Sequence, residues 1–118
     1  MAAIYPRRVE GTETGETVTW MWENIGQTDT PQPLKCPGLA DKSFQVIGTF
    51  DGATVGLHGS NLESSGFGVL TDPLGIDIEF TVTAQPKQVS ELTAFVKPVA
   101  SGGGGSQSIT AYITGKKS

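Results

Sequence analysis

One histidine, His58, and one cysteine, Cys36, occur in 118 residues, so nucleophilic chemistry would have to be built from very few parts. A serine–histidine–carboxylate device would need His58 with Ser60 or Ser43 as nucleophile and an aspartate to orient the ring. Nothing resembling a nucleophile elbow surrounds either serine, and His58 ends a strand-like stretch, where a solvent-facing or loop-bonded imidazole is the ordinary outcome. Asp77 and Glu79 are two apart on an alternating segment, which is the pattern of a solvated strand face rather than of a hydrolytic pair held in a cleft. Asp51, Glu63 and Asp72 carry oxygen ligands for calcium, but their spacing has nothing of an EF-hand loop and reads as turn chemistry. Cys36 lies between Lys35 and Pro37, where a cation can lower a thiol pKa, yet no histidine is near in sequence, so it reads as a small structural residue. Gly102 to Gly105 leads into a strand pattern and lacks the lysine and hydroxyl of a phosphate loop. No Cys/His cluster has zinc spacing. The expectation is a protein that is not an enzyme, with no catalytic residue, no metal and no cofactor.

The aromatic residues are the stronger lead. Trp20, Trp22, Tyr5, Tyr112 and Phe95 offer, as one reading, an exposed platform for sugar or protein. Trp20 and Trp22, however, share one face of an alternating run with Val18, and the favoured expectation is that both tryptophans fill the core. Tyr112 and Phe95 each lie opposite the small aliphatic set of their own strand and are expected to face a partner. Tyr5 stands in a polar N-terminal stretch with nothing apolar to hide behind except Ala2, Ala3 and Ile4.

The elements that would position these residues follow from period-two alternation and turn residues. A first strand begins at Thr17, with Val18, Trp20 and Trp22 on one face and Thr17, Thr19, Met21 and Glu23 on the other. Residues 25–39 contain Pro31, Pro33 and Pro37 and predict an irregular connection. A second strand places Phe44, Val46 and Phe50 inward, with Gly48 at a bulge or close approach. Asp51-Gly52 then signals a two-residue hairpin into a return strand carrying Val55 and Leu57. After a loop through Ser64-Ser65-Gly66 come a short strand at 67–70 and an Asp72-Pro73-Leu74-Gly75 turn. The clearest alternation of all follows, with Ile76, Ile78, Phe80 and Val82 on one side. Residues 91–99 form another strand, with Leu92, Ala94 and Val96 opposed to Thr93, Phe95 and Lys97, and Pro98 placing its end at an edge. The Gly102–Gly105 run, although it resembles a laboratory linker, reads as a native hairpin turn into a last strand carrying Ile109, Ala111 and Ile113.

Before these lies residues 1–16, an extended N-terminal arm whose charges reverse from Arg7 and Arg8 to Glu10, Glu13 and Glu16. About seven strands and no helical periodicity predict an all-β fold, a single antiparallel β-sandwich over 17–118. Sixteen glycines and seven prolines suit many short strands and turns. With 12 acidic and 8 basic side chains the net charge is −4, which disfavours non-specific adhesion to nucleic acid or an anionic membrane. No apolar run has signal-peptide or membrane-span length, so a soluble, non-secreted protein is expected.

One resemblance extends this reading. The stretch from Phe44 to Ile113 carries Gly48 and Phe50, the Gly52 to Val55 return, the Gly59-Ser60-Asn61 loop, Leu70 to Pro73, then Phe95 with Lys97 and Pro98 before Gly102 to Gly105. In that order these pieces resemble the small head decoration, or cement, proteins of tailed bacteriophages. Where similar chains continue the Ser-Asn loop with Asp-Gly and a Trp, this one has Leu62, Glu63 and Phe67, and the arm lies outside the match. The resemblance implies a virion protein, made in the host bacterial cytoplasm, that sits on the outer capsid surface and clamps neighbouring major capsid protein subunits as a homo-oligomer, a trimer or a dimer. Neither nucleic acid nor membrane is then a partner. Ile4, Tyr5, Arg7 and Arg8 are the expected anchors of the arm on capsid protein or a sister protomer, joined by Phe95 and Tyr112. A phage tail or head-completion component, or a carbohydrate-binding module using the Gly59 to Gly66 loop and exposed aromatics, remains as the alternative.

Overall fold

The computed structural model describes residues 3–9, 17–35, 39–91 and 93–117. Among them the chain is all-β, with twelve strands and no helix. In chain order these are β1 (Ala3–Ile4), β2 (Arg7–Arg8), β3 (Thr17–Ile25), β4 (Thr30–Pro31), β5 (Leu34–Lys35) and β6 (Leu39–Thr49). They continue with β7 (Thr54–Ser60), β8 (Gly68–Val69), β9 (Glu79–Phe80), β10 (Lys87–Gln88), β11 (Phe95–Ser101) and β12 (Ser108–Lys117). One sheet has the order β10-β6-β12-β3-β2; the other has β5-β11-β7-β8, with β9 also on β7. Pairing is antiparallel throughout both, and a separate parallel pair joins β1 to β4.

The strand faces follow the alternation. Val18 and Trp22 of β3, Phe44 and Val46 of β6, and Ile109, Ala111 and Ile113 of β12 are buried. They form one cluster with Val55 and Leu57 of β7, Phe80 of β9 and Val96 of β11 from the other sheet. Phe44 and Phe80 meet edge to face with ring centroids 5.9 Å apart, an arrangement that suits the aromatic quadrupole and ties the two sheets together. Trp20 is only partly buried, packed against this cluster beside the fully buried Trp22.

Two connections expected as hairpins within a sheet instead cross between sheets. Asp51 and Gly52 have φ of 48° and 85°, as a tight primed turn requires, and Ala53 N–H donates to the Phe50 carbonyl. Yet β6 lies in the first sheet and β7 in the second. The glycine run after β11 likewise delivers the chain to β12 in the opposite sheet. The two arches lock together: Gly104 N–H donates to the Asp51 carbonyl, and Ser106 N–H to the Asp51 carboxylate at 3.0 Å. Gln27 adds a hydrogen bond from its amide to the Gly103 carbonyl, and buried Gln107 donates to the Ile25 carbonyl. Side-chain tethering of the second arch competes with, and here replaces, strand pairing across it.

The run is therefore a fitted arch rather than a spacer. Gly102 has φ of 76°, a Cβ on Gly103 would overlap the Gln107 side chain, and one on Gly104 would overlap the Asp51 carboxylate. Around Gly105 there is open space. Gly103→Ala and Gly104→Ala are expected to destabilise by roughly 1–3 kcal/mol each, while Gly105→Ala stays within about 0.5 kcal/mol. Urea unfolding of the three variants checks this; equal, negligible effects would make the run a passive spacer.

The strongest sequence alternation, 76–83, yields only the two residues of β9. Ile78 and Phe80 are buried, but Ile76 and Val82 are 57% and 65% exposed. The reason lies in what the segment must join. Ile78 N–H donates to Leu70 and its carbonyl accepts from Leu57, fixing it in the second sheet. Thr83 Oγ1 then accepts from Gly48 N–H, and β10 pairs with β6, so the chain has crossed to the first sheet by residue 87. A segment that spans both sheets cannot keep one face inward.

Two smaller differences concern prolines. The connection at 25–39 includes the short strands β4 and β5, paired with β1 and β11. Pro98 is not at the end of its strand: β11 begins at Phe95 and continues through a buried Pro98 to Ser101. Opposite Pro98, Leu57 turns both its N–H and its carbonyl away from β11, to Ile78 and Leu70. The proline nitrogen therefore faces away from β7, where β5 has already ended, and no ladder donor is lost. Leu92, expected inward on that strand, lies outside the described residues, as do Pro37 and Cys36.

Candidate functional site

The six expected partner residues fall into separate places. Arg7 and Tyr112 share the outer face of the first sheet, because Arg7 is paired with Met21 and Met21 with Tyr112. Arg8 is exposed and paired with Trp20, on the opposite side of the same edge strand. Ile4 is partly buried and packs against the core, while Tyr5, next to it, is 70% exposed. Phe95 is half-buried on the outer face of the second sheet, opposite Ser60. Residues 3–9 thus lie along the body as β1 and β2, and residues 10–16, the rest of the expected arm, lie outside the described residues.

Two surfaces emerge from this placement. On the outer face of the first sheet, β12 contributes Ser108, Thr110, Tyr112 and Thr114, β6 contributes Ser43, Gln45, Ile47 and Thr49, and β3 contributes Thr17, Thr19, Met21 and Glu23. Of these twelve side chains only Glu23 is charged, and it pairs with Arg7 at 3.1 Å; Lys116, exposed and in register with Thr17, adds a positive charge where β12 continues. Thr19 and Thr114 hydrogen-bond each other across the strands at 2.8 Å. Met21 is buried on this outward side, between Arg7 and Tyr112 in the register, although its position among threonines marks it as a polar-face residue in the sequence.

The second surface is a cleft of about 410 Å³ between four chain segments. Tyr5 comes from the N-terminal segment, Thr30, Pro31, Gln32 and Pro33 from β4 and the turn after it, Glu63 and Ser64 from the loop after β7, and Lys97 from β11. A shallower groove continues it along Pro98, Val99 and Ala100 of β11. Gln32 is the fixed point of one wall: its N–H donates to Ile4, its side-chain amide to Thr30, and its carbonyl accepts from Trp22 Nε1 at 2.7 Å. Opposite, the Lys97 ammonium sits 4.5 Å from the centre of the Phe67 ring, a cation–π contact. Sequence reasoning missed Gln32, Glu63 and Lys97 as neighbours of Tyr5.

His58 is partly buried on the outer face of the second sheet, paired in register with Lys97. Ser60 Oγ is committed elsewhere, donating to the Ser65 carbonyl and accepting from Leu62 N–H, which braces the loop that carries Glu63. Asp77 and Glu79 are exposed. Among the described residues no group of three His, Cys, Asp or Glu side chains could hold a metal ion. Nor is any helix there long and apolar enough to cross a membrane.

Burial and the Lys97 charge outweigh the attraction of Glu79 and Asp77, so His58 titrates below its ordinary value. The folded chain then binds fewer protons than the unfolded chain between that lowered pKa and the unperturbed value near 6.5. Stability is accordingly expected to fall as pH drops through that window, and His58→Gln to flatten this part of the profile. Chemical denaturation at a series of pH values checks it; an unchanged slope in His58→Gln would assign the pH dependence to other groups. Glu91 shifts in the same direction, at lower pH and for a different reason. Burial would raise its carboxyl, but hydrogen bonds from Thr71 Oγ1 and Thr71 N–H hold it below the usual value and tie the ends of segment 71–91 together.

No family model, no curated protein and no solved structure matches this chain.

Proposed function

We propose that the chain is a decoration protein of a tailed-bacteriophage head, which binds the outer capsid surface and clamps neighbouring major capsid protein subunits. In this reading the two sheets are the layers of one β-sandwich, residues 1–16 serve as its arm, and the functional unit is a trimer or a dimer. The observation that carries it is the outer face of the first sheet. A broad strand surface whose centre holds a buried Met21 and Tyr112, with the Glu23–Arg7 pair at one margin and Lys116 at one end, has the composition of an interface core, which is poor in charge and enriched in Tyr, Met and Arg. The order of sequence pieces from Phe44 to Ile113 supplies the identity of the partner. Among the described residues β2 is the edge strand of this sheet, and Arg7 lies there on the same outer face, at the side where a second subunit would abut.

The structure alters how this is best tested. Deleting residues 1–16 would remove Ile4 from the core and β2 from its sheet, so lost binding could reflect lost folding. Point charges on the outer face avoid that. Tyr112→Glu and Thr110→Glu are expected to weaken attachment to capsid shells by about thirtyfold or more, the scale of a hot-spot residue, with little change in Tm. Full-strength binding by both folded variants would remove this face from the interface.

A further inference from the structure

We propose that the cleft between Tyr5, Gln32, Glu63 and Lys97 binds a neutral saccharide. The site lies apart from the Tyr112 face and does not depend on the capsid reading. Four chemical features converge there. Tyr5 offers an aromatic ring that is 70% exposed, the kind of platform on which the C–H face of a sugar stacks. Glu63 has no hydrogen-bond or ion-pair partner among the described residues, and Lys97 has none beyond the Phe67 ring. Ser64 adds a hydroxyl with unused capacity. The wall they face is held in place: Gln32 is fixed by three hydrogen bonds, one of them from the indole of fully buried Trp22, and prolines flank it on both sides. A volume of about 410 Å³ falls within the range of small-molecule sites.

The ligand class follows from the charges. A carboxylate and an ammonium that share a cleft without pairing are both satisfied by vicinal hydroxyls, each of which donates to the acid and accepts from the amine. An anion would answer Lys97 and be repelled by Glu63, and a cation would do the reverse. An extended peptide is disfavoured for a separate reason. Strand addition needs a row of backbone donors, and the cleft and its continuation present Pro31, Pro33 and Pro98, none of which has an N–H.

The test is titration of the isotopically labelled full chain with maltohexaose, cellohexaose, xylohexaose and chitohexaose, followed by amide and side-chain NMR shifts. At least one of these is expected to give saturable shifts at the Gln32 side chain, Ser64 and Lys97, with a dissociation constant of about a millimolar, typical of a small open site. Tyr5→Ala and Glu63→Gln should each weaken it at least about tenfold, the effect of losing about 1.4 kcal/mol, while Tyr112→Glu leaves it unchanged. Both cleft positions are exposed, so their variants should fold, and their unperturbed spectra verify it. No saturable shift with any of the four sugars would overturn the proposal, as would shifts indifferent to both cleft substitutions. A proline-rich peptide that shifts the same residues where the sugars do not would assign the groove to peptide instead. None of these outcomes bears on attachment to capsid shells, which is measured without sugar.

Discussion

Trp22→Ala is expected to destabilise the chain by roughly 3–5 kcal/mol, the range for removing a large aromatic from a packed interior. Trp22 has no exposed surface, and its neighbours across the strand, Ala111 and then Val46, belong to the central strands of the first sheet. Little of the resulting cavity can collapse, because strands on both sides hold the register. The loss has a second component, since Trp22 Nε1 donates to the Gln32 carbonyl at 2.7 Å. Trp22→Phe separates the two: it keeps most of the ring but leaves that carbonyl without its donor, and should cost about 1–3 kcal/mol. Thermal or urea unfolding distinguishes the variants. If Trp22→Ala cost less than about 1 kcal/mol, the core described here would be wrong.

A comparable effect is expected from one methyl group. Gly48 has φ of 123°, and a Cβ there would run into the backbone carbonyl of Ser108 and lie 3.0 Å from Ile109 Cα. Both obstacles are main chain of β12, the strand between β6 and β3, so neither can swing aside as a side chain would. Gly48→Ala should therefore cost roughly 3 kcal/mol or more, combining backbone strain with a displaced strand. Gly75→Ala gives the comparison. Its φ of 80° carries the strain, but nothing stands near its Cβ. A Gly48→Ala variant as stable as Gly75→Ala would show that β12 does not approach so closely.

These two residues also show what the sequence reveals. The face of each long strand was legible because alternation survives wherever one side of a sheet is buried: Trp22, Phe44, Val55, Leu57 and Ile109 all lie where period two puts them. Gly48, read as a bulge or a close approach because it interrupts that alternation, is a close approach: the register with β12 runs through it without a shift. Which strands pair was not legible. Asp51-Gly52 has the same local chemistry whether the chain folds back within its sheet or crosses to the other, and the choice is made by contacts with Gly104 and Ser106, more than fifty residues away. Segment 76–83 misled for a related reason: its alternation is genuine, but the Thr83 contact with Gly48 draws it off one sheet after Phe80.

The candidate surfaces divide in the same way. Tyr112 could be found from one strand alone, as the aromatic opposite Ile109, Ala111 and Ile113. Met21 could not, because nothing in its own strand shows that Arg7 and Tyr112 flank it. The cleft was hidden further, its walls coming from residues 5, 30–33, 63–64 and 97. Only the clustering of Pro31 and Pro33, and Pro98 in a strand, hinted that those backbones avoid further pairing.

The most direct measurement is co-sedimentation of the purified chain with capsid shells stripped of their decoration protein, counting copies bound per shell at saturation. If the proposed capsid role holds, binding saturates at a copy number set by capsid symmetry and is lost in Tyr112→Glu while that variant keeps its thermal unfolding profile. Absence of binding by the wild-type chain, or binding that rises without saturation and ignores Tyr112, would contradict it.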